Sequence, residues 1–115
     1  MKRDMELGRK ILLAIEAKES HDWGPPPLIE GYPQEVVSYH LHLLLQAGLI
    51  EAKNLPGTNE WMVKSLTWDG HEFLEAARDD TLWEKAKKLV LEKTGTLTFE
   101  GLKLALMEVI RRSLS

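Results

Sequence analysis

The chain has 115 residues, of which 43% are apolar and 29% are charged, and this composition predicts one ordinary globular domain that buries its own core. It contains no cysteine, which excludes a disulfide scaffold, a cysteine nucleophile and an iron–sulfur site. No apolar run approaches the ~20 residues that span a bilayer. Charged side chains within the first six positions are not expected in a secretory signal. We therefore expect a cytoplasmic protein without a membrane partner.

The net charge of −3 is unevenly distributed along the chain. Residues 19–80 carry three bases against eleven acids, a net charge of −8, whereas residues 1–18 carry +2 and residues 81–115 carry +3. Basic side chains that neutralise phosphates supply most non-specific affinity for DNA. The acidic middle therefore argues against tight DNA binding by that segment alone, and a dimer would have to recruit bases from the two ends.

The first half of the chain predicts two helices separated by a loop. Residues 4–18 carry apolar side chains at one-turn spacing behind a capping aspartate. Residues 33–47 begin with a proline suited to the first turn of a helix and end before Gly48, which suits a left-handed C-cap. Three prolines exclude a helix in the intervening loop, where Leu28–Ile29 is a candidate short strand. The apolar stripes of the two helices are Leu7, Ile11, Leu12 and Ile15, and Val37, Leu41, Leu44 and Leu45.

The second half predicts a β-hairpin followed by three helices. The predicted strands cover residues 49–53 and 60–65, and the predicted helices cover residues 68–78, residues 81–93 and residues from 99 onward. Thr67, Thr81 and Thr98 are the predicted helix caps, with the Thr81 cap resting on capping-box spacing. Trp61 and Trp68 flank the end of the hairpin, and we expect both in the core.

Two motifs carry the most information about the fold. Ala47-Gly48-Leu49-Ile50 ends the second helix and opens the hairpin, and the run Leu66–His71 (Leu-Thr-Trp-Asp-Gly-His) closes the hairpin and opens the next helix. In this order, with a hairpin between them, they resemble a winged helix-turn-helix. The chain is also similar to a bacterial and prophage-associated winged-helix family of uncharacterised function. That similarity is carried by residues 1–7, 31–32, 39–41, 47–52, 66–74 and 77–83.

The resemblance implies an α+β, mostly helical protein with no assigned catalytic residues. Residues 1–80 would form a winged helix-turn-helix core with a two-stranded wing, and residues 81–115 a helical extension that packs on the core or forms a dimer interface. The helix that normally precedes the recognition helix has little room between Glu19 and Pro33. We expect that helix to be absent or reduced to a turn.

The helix predicted over residues 33–47 is the candidate recognition helix, because the second helix of the motif enters the major groove. The candidate DNA-contacting residues are Gln34, Ser38, Tyr39 and His42 of that helix, together with Lys53 and Lys64 of the wing. The helix itself contains no lysine or arginine. Two functions stay open. One is DNA binding of the transcription-regulator kind, in a phage or mobile-element context, and the other is a protein–protein interaction module without DNA binding.

Other residue patterns favour structural roles over chemistry. On a helix, His40 and His42 point about 200° apart and cannot chelate one metal together. Asp79 and Asp80 precede a predicted helix, where negative charge is favourable for the helix dipole. The chain shows no catalytic-triad spacing and no phosphate-binding glycine loop. We expect no enzyme activity, no metal and no cofactor.

Residues 81–115 exceed the ~70–80 residues that a winged-helix core needs. Amphipathic helices added to a complete core often form a two-fold dimer interface. The candidate interface residues of the last helix are Leu102, Leu106, Val109 and Ile110. The alternative is that the same face packs within one chain.

Overall fold

The structure is a computed structural model that describes residues 1–113. These residues form five helices and a two-stranded antiparallel sheet, which confirms the predicted α+β, mostly helical fold class. The elements are α1 (Met5–Glu16), α2 (Gln34–Gln46), β1 (Ile50–Asn54), β2 (Trp61–Leu66), α3 (Trp68–Ala77), α4 (Asp80–Thr94) and α5 (Phe99–Ser113). Their order is compatible with a winged helix that has a two-stranded wing.

The chain divides into two compact units, unit 1 over residues 1–71 and unit 2 from residue 72 onward. The predicted domains, residues 1–80 and residues 81–115, stay a prediction, and the last two residues of the predicted extension lie outside the described residues. Within residues 17–33 of unit 1 there is no helix, only turns and an isolated β-bridge. The expected loss of the helix before α2 is therefore confirmed.

The apolar stripes of α1 and α2 form the core of unit 1, as their periodicity predicts. The four predicted positions of α1 are all buried, and the Asp4 carboxylate caps this helix by accepting a hydrogen bond from the Leu7 N–H at 3.1 Å. In α2, Val37, Leu41 and Leu44 are fully buried and Leu45 is half-buried. Pro33 has extended backbone and is the N-cap of α2.

The two sequence motifs meet at the base of the hairpin. The Leu49 carbonyl accepts the Thr67 N–H at 3.0 Å, and the Thr67 hydroxyl donates to the Gly48 carbonyl at 2.6 Å and accepts the Gly70 N–H at 3.0 Å. A Cβ on Gly70 would lie 1.9 Å from the Leu49 carbonyl oxygen. Gly70 is therefore required by close backbone approach, and Gly48 by its positive φ of 75°.

A third segment, for which the residue pattern predicts no strand, also pairs with the hairpin. The Gly24 N–H donates to the Val63 carbonyl at 3.0 Å, and the Val63 N–H donates to the Gly24 carbonyl at 2.9 Å. The candidate strand Leu28–Ile29 is wrong, because this segment has no strand structure and Leu28 is 88% exposed. Trp68 is 78% exposed, so its predicted place in the core is also wrong.

Lys18 locks this segment onto β2. Its ammonium group donates to the carbonyls of Asp22 at 2.9 Å, Val63 at 3.0 Å and Lys64 at 2.9 Å. An ammonium group has three N–H donors, so this contact uses its full capacity. We call this contact the Lys18 latch.

Unit 2 has an aromatic core. Trp83 is fully buried, and the Phe73 ring meets the rings of Trp83 and Phe99 edge-on, each at a centroid distance of 6.2 Å. The predicted cap of α4 is wrong by two residues, because Asp79 accepts the Leu82 N–H at 2.9 Å and Thr81 lies inside the helix. The predicted cap of α5 is confirmed by the Thr98 hydroxyl, which accepts the Gly101 N–H at 2.9 Å.

Replacing Leu41 tests the core of unit 1. Leu41→Ala should lower the free energy of unfolding by about 2–5 kcal/mol, because it empties a fully buried site. Leu28→Ala makes the same chemical change at an exposed site and should alter the free energy of unfolding by less than about 0.5 kcal/mol. Urea unfolding of both variants measures the difference, and equal effects would contradict the described packing of α2.

Replacing Lys18 tests the latch. Lys18→Met keeps the aliphatic stem but removes the charged donors, and should lower the free energy of unfolding by about 1.5–3 kcal/mol. Lys2→Met is the matched control, since Lys2 is exposed. Hydrogen exchange should quicken at the Gly24 and Val63 amides in the Lys18 variant alone. Unchanged exchange at these amides would show that the latch does not hold this segment.

Candidate nucleic-acid interface

A shallow groove of about 650 Å³ lies in unit 1 between the exposed face of α2 and the hairpin. Its lining residues are Gln34, Glu35, Ser38, Tyr39 and His42 of α2 with Asn59 and Trp61 of the hairpin. The structure thus brings together all four candidate DNA-contacting residues of α2. Sequence reasoning missed Asn59 and Trp61, which it assigned to the turn and to the core. The His42 and Trp61 rings meet edge-on at 6.1 Å.

The groove is weakly acidic. Among its described lining residues, Glu35 is the one with a formal charge, and lysine and arginine are absent from that set. Glu35 lies in the first turn of α2, where an acid is favourable for the helix but repels a phosphate. Any phosphate contacts must therefore come from residues around the groove rather than within it.

The two predicted wing lysines lie outside the groove and have partners of their own. The Lys53 ammonium lies 4.3 Å from the centre of the Trp23 ring, a cation–π contact. The Lys64 ammonium lies 3.9 Å from the Glu51 carboxylate, and both of these side chains are substantially exposed. An exposed ion pair of this kind adds little stability, so Lys64 can exchange it for another anion.

His40 anchors the start of the chain to α2. It is fully buried, and its Nε2 accepts the Asp4 N–H at 2.8 Å while Nδ1 lies 2.8 Å from the Val36 carbonyl. Because a backbone N–H can only donate, Nε2 is the acceptor and Nδ1 carries the proton that it donates to Val36. His42 is exposed on the other face of the helix, as the spacing of the two histidines predicts.

This anchor places the basic N-terminus beside the beginning of α2. The Tyr32 hydroxyl, just before the N-cap of α2, donates to the Asp4 carboxylate at 3.3 Å, and the Lys10 ammonium lies 5.5 Å from the Tyr32 ring centre. Lys2 and Arg3 directly precede the anchored Asp4 and are exposed. The Lys10 side chain therefore lies beside Tyr32, just before α2, and the chain segment that carries Lys2 and Arg3 is tied to α2 through Asp4.

The candidate dimer residues are mostly buried within a single chain. Leu102 is fully buried, Leu106 and Val109 are nearly so, and Ile110 is half-buried. Leu102, Leu106 and Val109 are not available to a second copy, because this face of α5 is already used for packing inside the chain. The apolar residues of α5 that remain exposed are Leu104 and Met107.

The other polar clusters have structural partners. The Asp79 carboxylate caps α4 as described above.

Within the described residues, no group of three or more histidine, aspartate and glutamate side chains is arranged to hold a metal ion. In the same part of the chain, no helix has the length and apolarity needed to cross a membrane.

The fold and groove define an α+β protein whose helix–hairpin–helix order is compatible with a winged helix. The chain belongs to the family described as "Hypothetical protein (DUF2513)", whose model matches residues 2–96. It is 37% identical over 118 residues to a protein of Haemophilus influenzae strain Rd described as "Uncharacterized protein", and the match covers the whole of both chains. No solved structure matches the chain.

The contact between Tyr32 and Asp4 generates a pH prediction. The negative charge of Asp4, followed by partial burial and by the hydrogen bond itself, raises the pKa of the Tyr32 hydroxyl. The neutral hydroxyl therefore stabilises the fold at neutral pH, and this contribution is lost as the pH rises through the ordinary tyrosine pKa of about 10 and then the raised pKa.

The measurement uses the Tyr39→Phe variant, which leaves Tyr32 as the single tyrosine. Asp4→Asn in this background keeps a competent helix cap and should lower the pKa of Tyr32. Ultraviolet absorbance of tyrosinate against pH gives the midpoint directly. Glu19→Gln removes an exposed acid elsewhere and should leave the midpoint unchanged. An Asp4→Asn midpoint equal to that of the parent would contradict the contact.

Proposed function

We propose that this protein binds double-stranded DNA through α2 and the hairpin, as a winged-helix transcription regulator in a phage or mobile-element context. The observation that carries the proposal is the exposed face of α2, where Gln34, Ser38 and His42 lie one turn apart beside the hairpin. Glutamine pairs bidentately with adenine, and serine and histidine contact a base or a phosphate. The proposal includes a cytoplasmic location, because the proposed partner is DNA.

The basic N-terminus supports this proposal. Half or more of the hydrogen bonds in protein–DNA complexes go to the backbone, and these contacts set the register of the protein on the duplex. We assign them here to Lys2, Arg3 and Lys10, which the His40 anchor holds near the beginning of α2. Basic arms beside a recognition helix contact the adjacent backbone or minor groove in other DNA-binding folds.

The wing supplies the remaining phosphate contacts in this proposal. Lys53 and Lys64 are both on the hairpin, and their partners are an aromatic ring and an exposed carboxylate. Neither partner holds its lysine as tightly as the three carbonyls of the latch hold Lys18. Lys18 is therefore left out of the interface, although the sequence counts it among the bases of residues 1–18.

The proposed role is binding without catalysis. The polar groups of the groove are two amides, two hydroxyls, an imidazole, an indole N–H and one carboxylate, that of Glu35. Each of these side chains has a direct use in hydrogen bonding to a nucleic acid or in setting specificity. The proposal therefore includes no reaction, no metal and no cofactor.

Binding to a mixed-sequence duplex at two salt concentrations tests the proposal. Affinity should fall steeply with salt, and Arg3→Gln should reduce the slope of log K against log salt by about one unit. Glu35→Gln should strengthen binding, because it removes a negative charge beside the phosphates. Arg112→Gln is the control, since this exposed arginine is not among the residues of the proposed interface. If the protein does not bind the duplex at the lower salt concentration, or if its affinity does not fall at the higher one, the proposal is overturned.

One observation favours a second function, a protein-interaction module. The groove presents the aromatic side chains of Tyr39 and Trp61 and a single acid, which suits a polypeptide better than a phosphate backbone. If the duplex titration shows no binding while Trp61→Ala leaves the fold intact, this function takes the place of DNA binding. The partner then contacts the same groove.

A further inference from the structure

We propose that two copies of this chain associate antiparallel through an exposed face of α5. This face, called here the α5 stripe, consists of Glu100, Leu104, Met107 and Arg111, all of them exposed. Leu104 is 64% exposed and Met107 is 61% exposed, although both are apolar. Spacings of four, three and four residues place these side chains on one side of the helix, in the pattern of a coiled-coil seam.

The α5 stripe is self-complementary about its centre. Glu100 and Arg111 lie equally far from a point between Ala105 and Leu106, and Leu104 and Met107 are related in the same way. In an antiparallel pair centred on that point, each Leu104 meets the partner's Met107 and each Glu100 meets the partner's Arg111. A two-fold contact uses one patch twice and therefore requires such complementarity.

This symmetry selects a second copy over an unrelated protein as the occupant. An unrelated partner would require no relation between the two ends of the stripe, whereas in an antiparallel two-fold pair an acid at one end and a base at the other attract each other twice. Arg111 already contacts its own Glu108. Its guanidinium has five donors, which is enough to bind that carboxylate and the partner's Glu100 together.

The neighbouring surface has room for the partner's apolar side chains. A groove of about 310 Å³ lies between α4 and α5 along one side of Leu104. Leu89, Val90 and Ala105 contribute to its apolar lining. The α5 stripe is only about 16 Å long, so the interface is smaller than a standard protein–protein interface. The dimer should therefore dissociate in the micromolar range or above.

Charge exchange in the full chain tests both the interface and its register. Sedimentation equilibrium gives the dimer dissociation constant for Glu100→Arg, for Arg111→Glu and for the double variant. Each single reversal turns two attractive contacts per dimer into repulsive ones and should weaken association roughly tenfold or more. The double variant restores opposite charges and should return to within about threefold of the original chain.

The double variant separates the interface from an effect on helix stability. Glu100 lies in the first turn of α5 and Arg111 in its last turn, where each charge is favourable for the helix dipole. A loss of helix stability would therefore be largest in the double variant, whereas the interface predicts recovery there. Circular dichroism measures the helix content of each variant alongside the sedimentation.

An apolar control completes the experiment. Leu104→Glu should abolish association. Leu91→Glu changes an exposed leucine of α4 outside the stripe, and should leave the dimer dissociation constant unchanged. A full-length chain that is monomeric at every concentration would overturn the proposal. Failure of the double variant to recover association, or a larger effect at Leu91 than at Leu104, would overturn it too. None of these outcomes depends on DNA binding.

Discussion

The contact between the turn after α2 and the start of α3 sets the geometry of the whole candidate site. Thr67 joins both ends of the hairpin with one hydroxyl, and Gly70 allows the Leu49 carbonyl to approach closer than any side chain would permit. This contact sets the position of β1 relative to α2. It therefore also determines which face of α2 lies against the hairpin. The groove lined by Ser38, His42 and Trp61 is the result. The two motifs occur together in the sequence because they are the two sides of one backbone contact.

The basic residues of unit 1 divide into those that hold the fold and those that face solvent, and this division decides what the site can bind. The Lys18 ammonium group donates to main-chain carbonyls, whereas Lys2 and Arg3 extend from a backbone held in place by His40. A charge count over residues 1–18 treats these bases alike. In the structure, the solvent-facing cations belong to two places: Lys2, Arg3 and Lys10 extend from segments that Asp4 and Tyr32 tie to α2, and Lys53 and Lys64 extend from the hairpin.

Periodicity and cap chemistry predicted most of the fold, because local forces dominate there. The stripe of α1, the hairpin and the Thr98 cap follow from spacing and residue type alone. The failures lie where long-range contacts decide. Gly24 pairs with β2 because the chain returns there, and Trp68 is exposed because the helix beginning at this residue turns it outward. One part of the candidate site could be predicted, because the face of α2 follows from helix geometry. The position of the N-terminus could not, because it depends on a contact between Asp4 and His40, which are 36 positions apart.

The Lys18 latch has a consequence for which substitutions this fold tolerates. Its acceptors are the carbonyls of Asp22, Val63 and Lys64, and every amino acid supplies a carbonyl. A side-chain change at those three acceptor positions therefore leaves the acceptor atoms in place, whereas a change of the lysine removes all three bonds. No correlated substitution arises between the two ends of the contact. Methods that infer neighbours from paired changes across homologues will not detect this contact, although it holds the loop against the sheet.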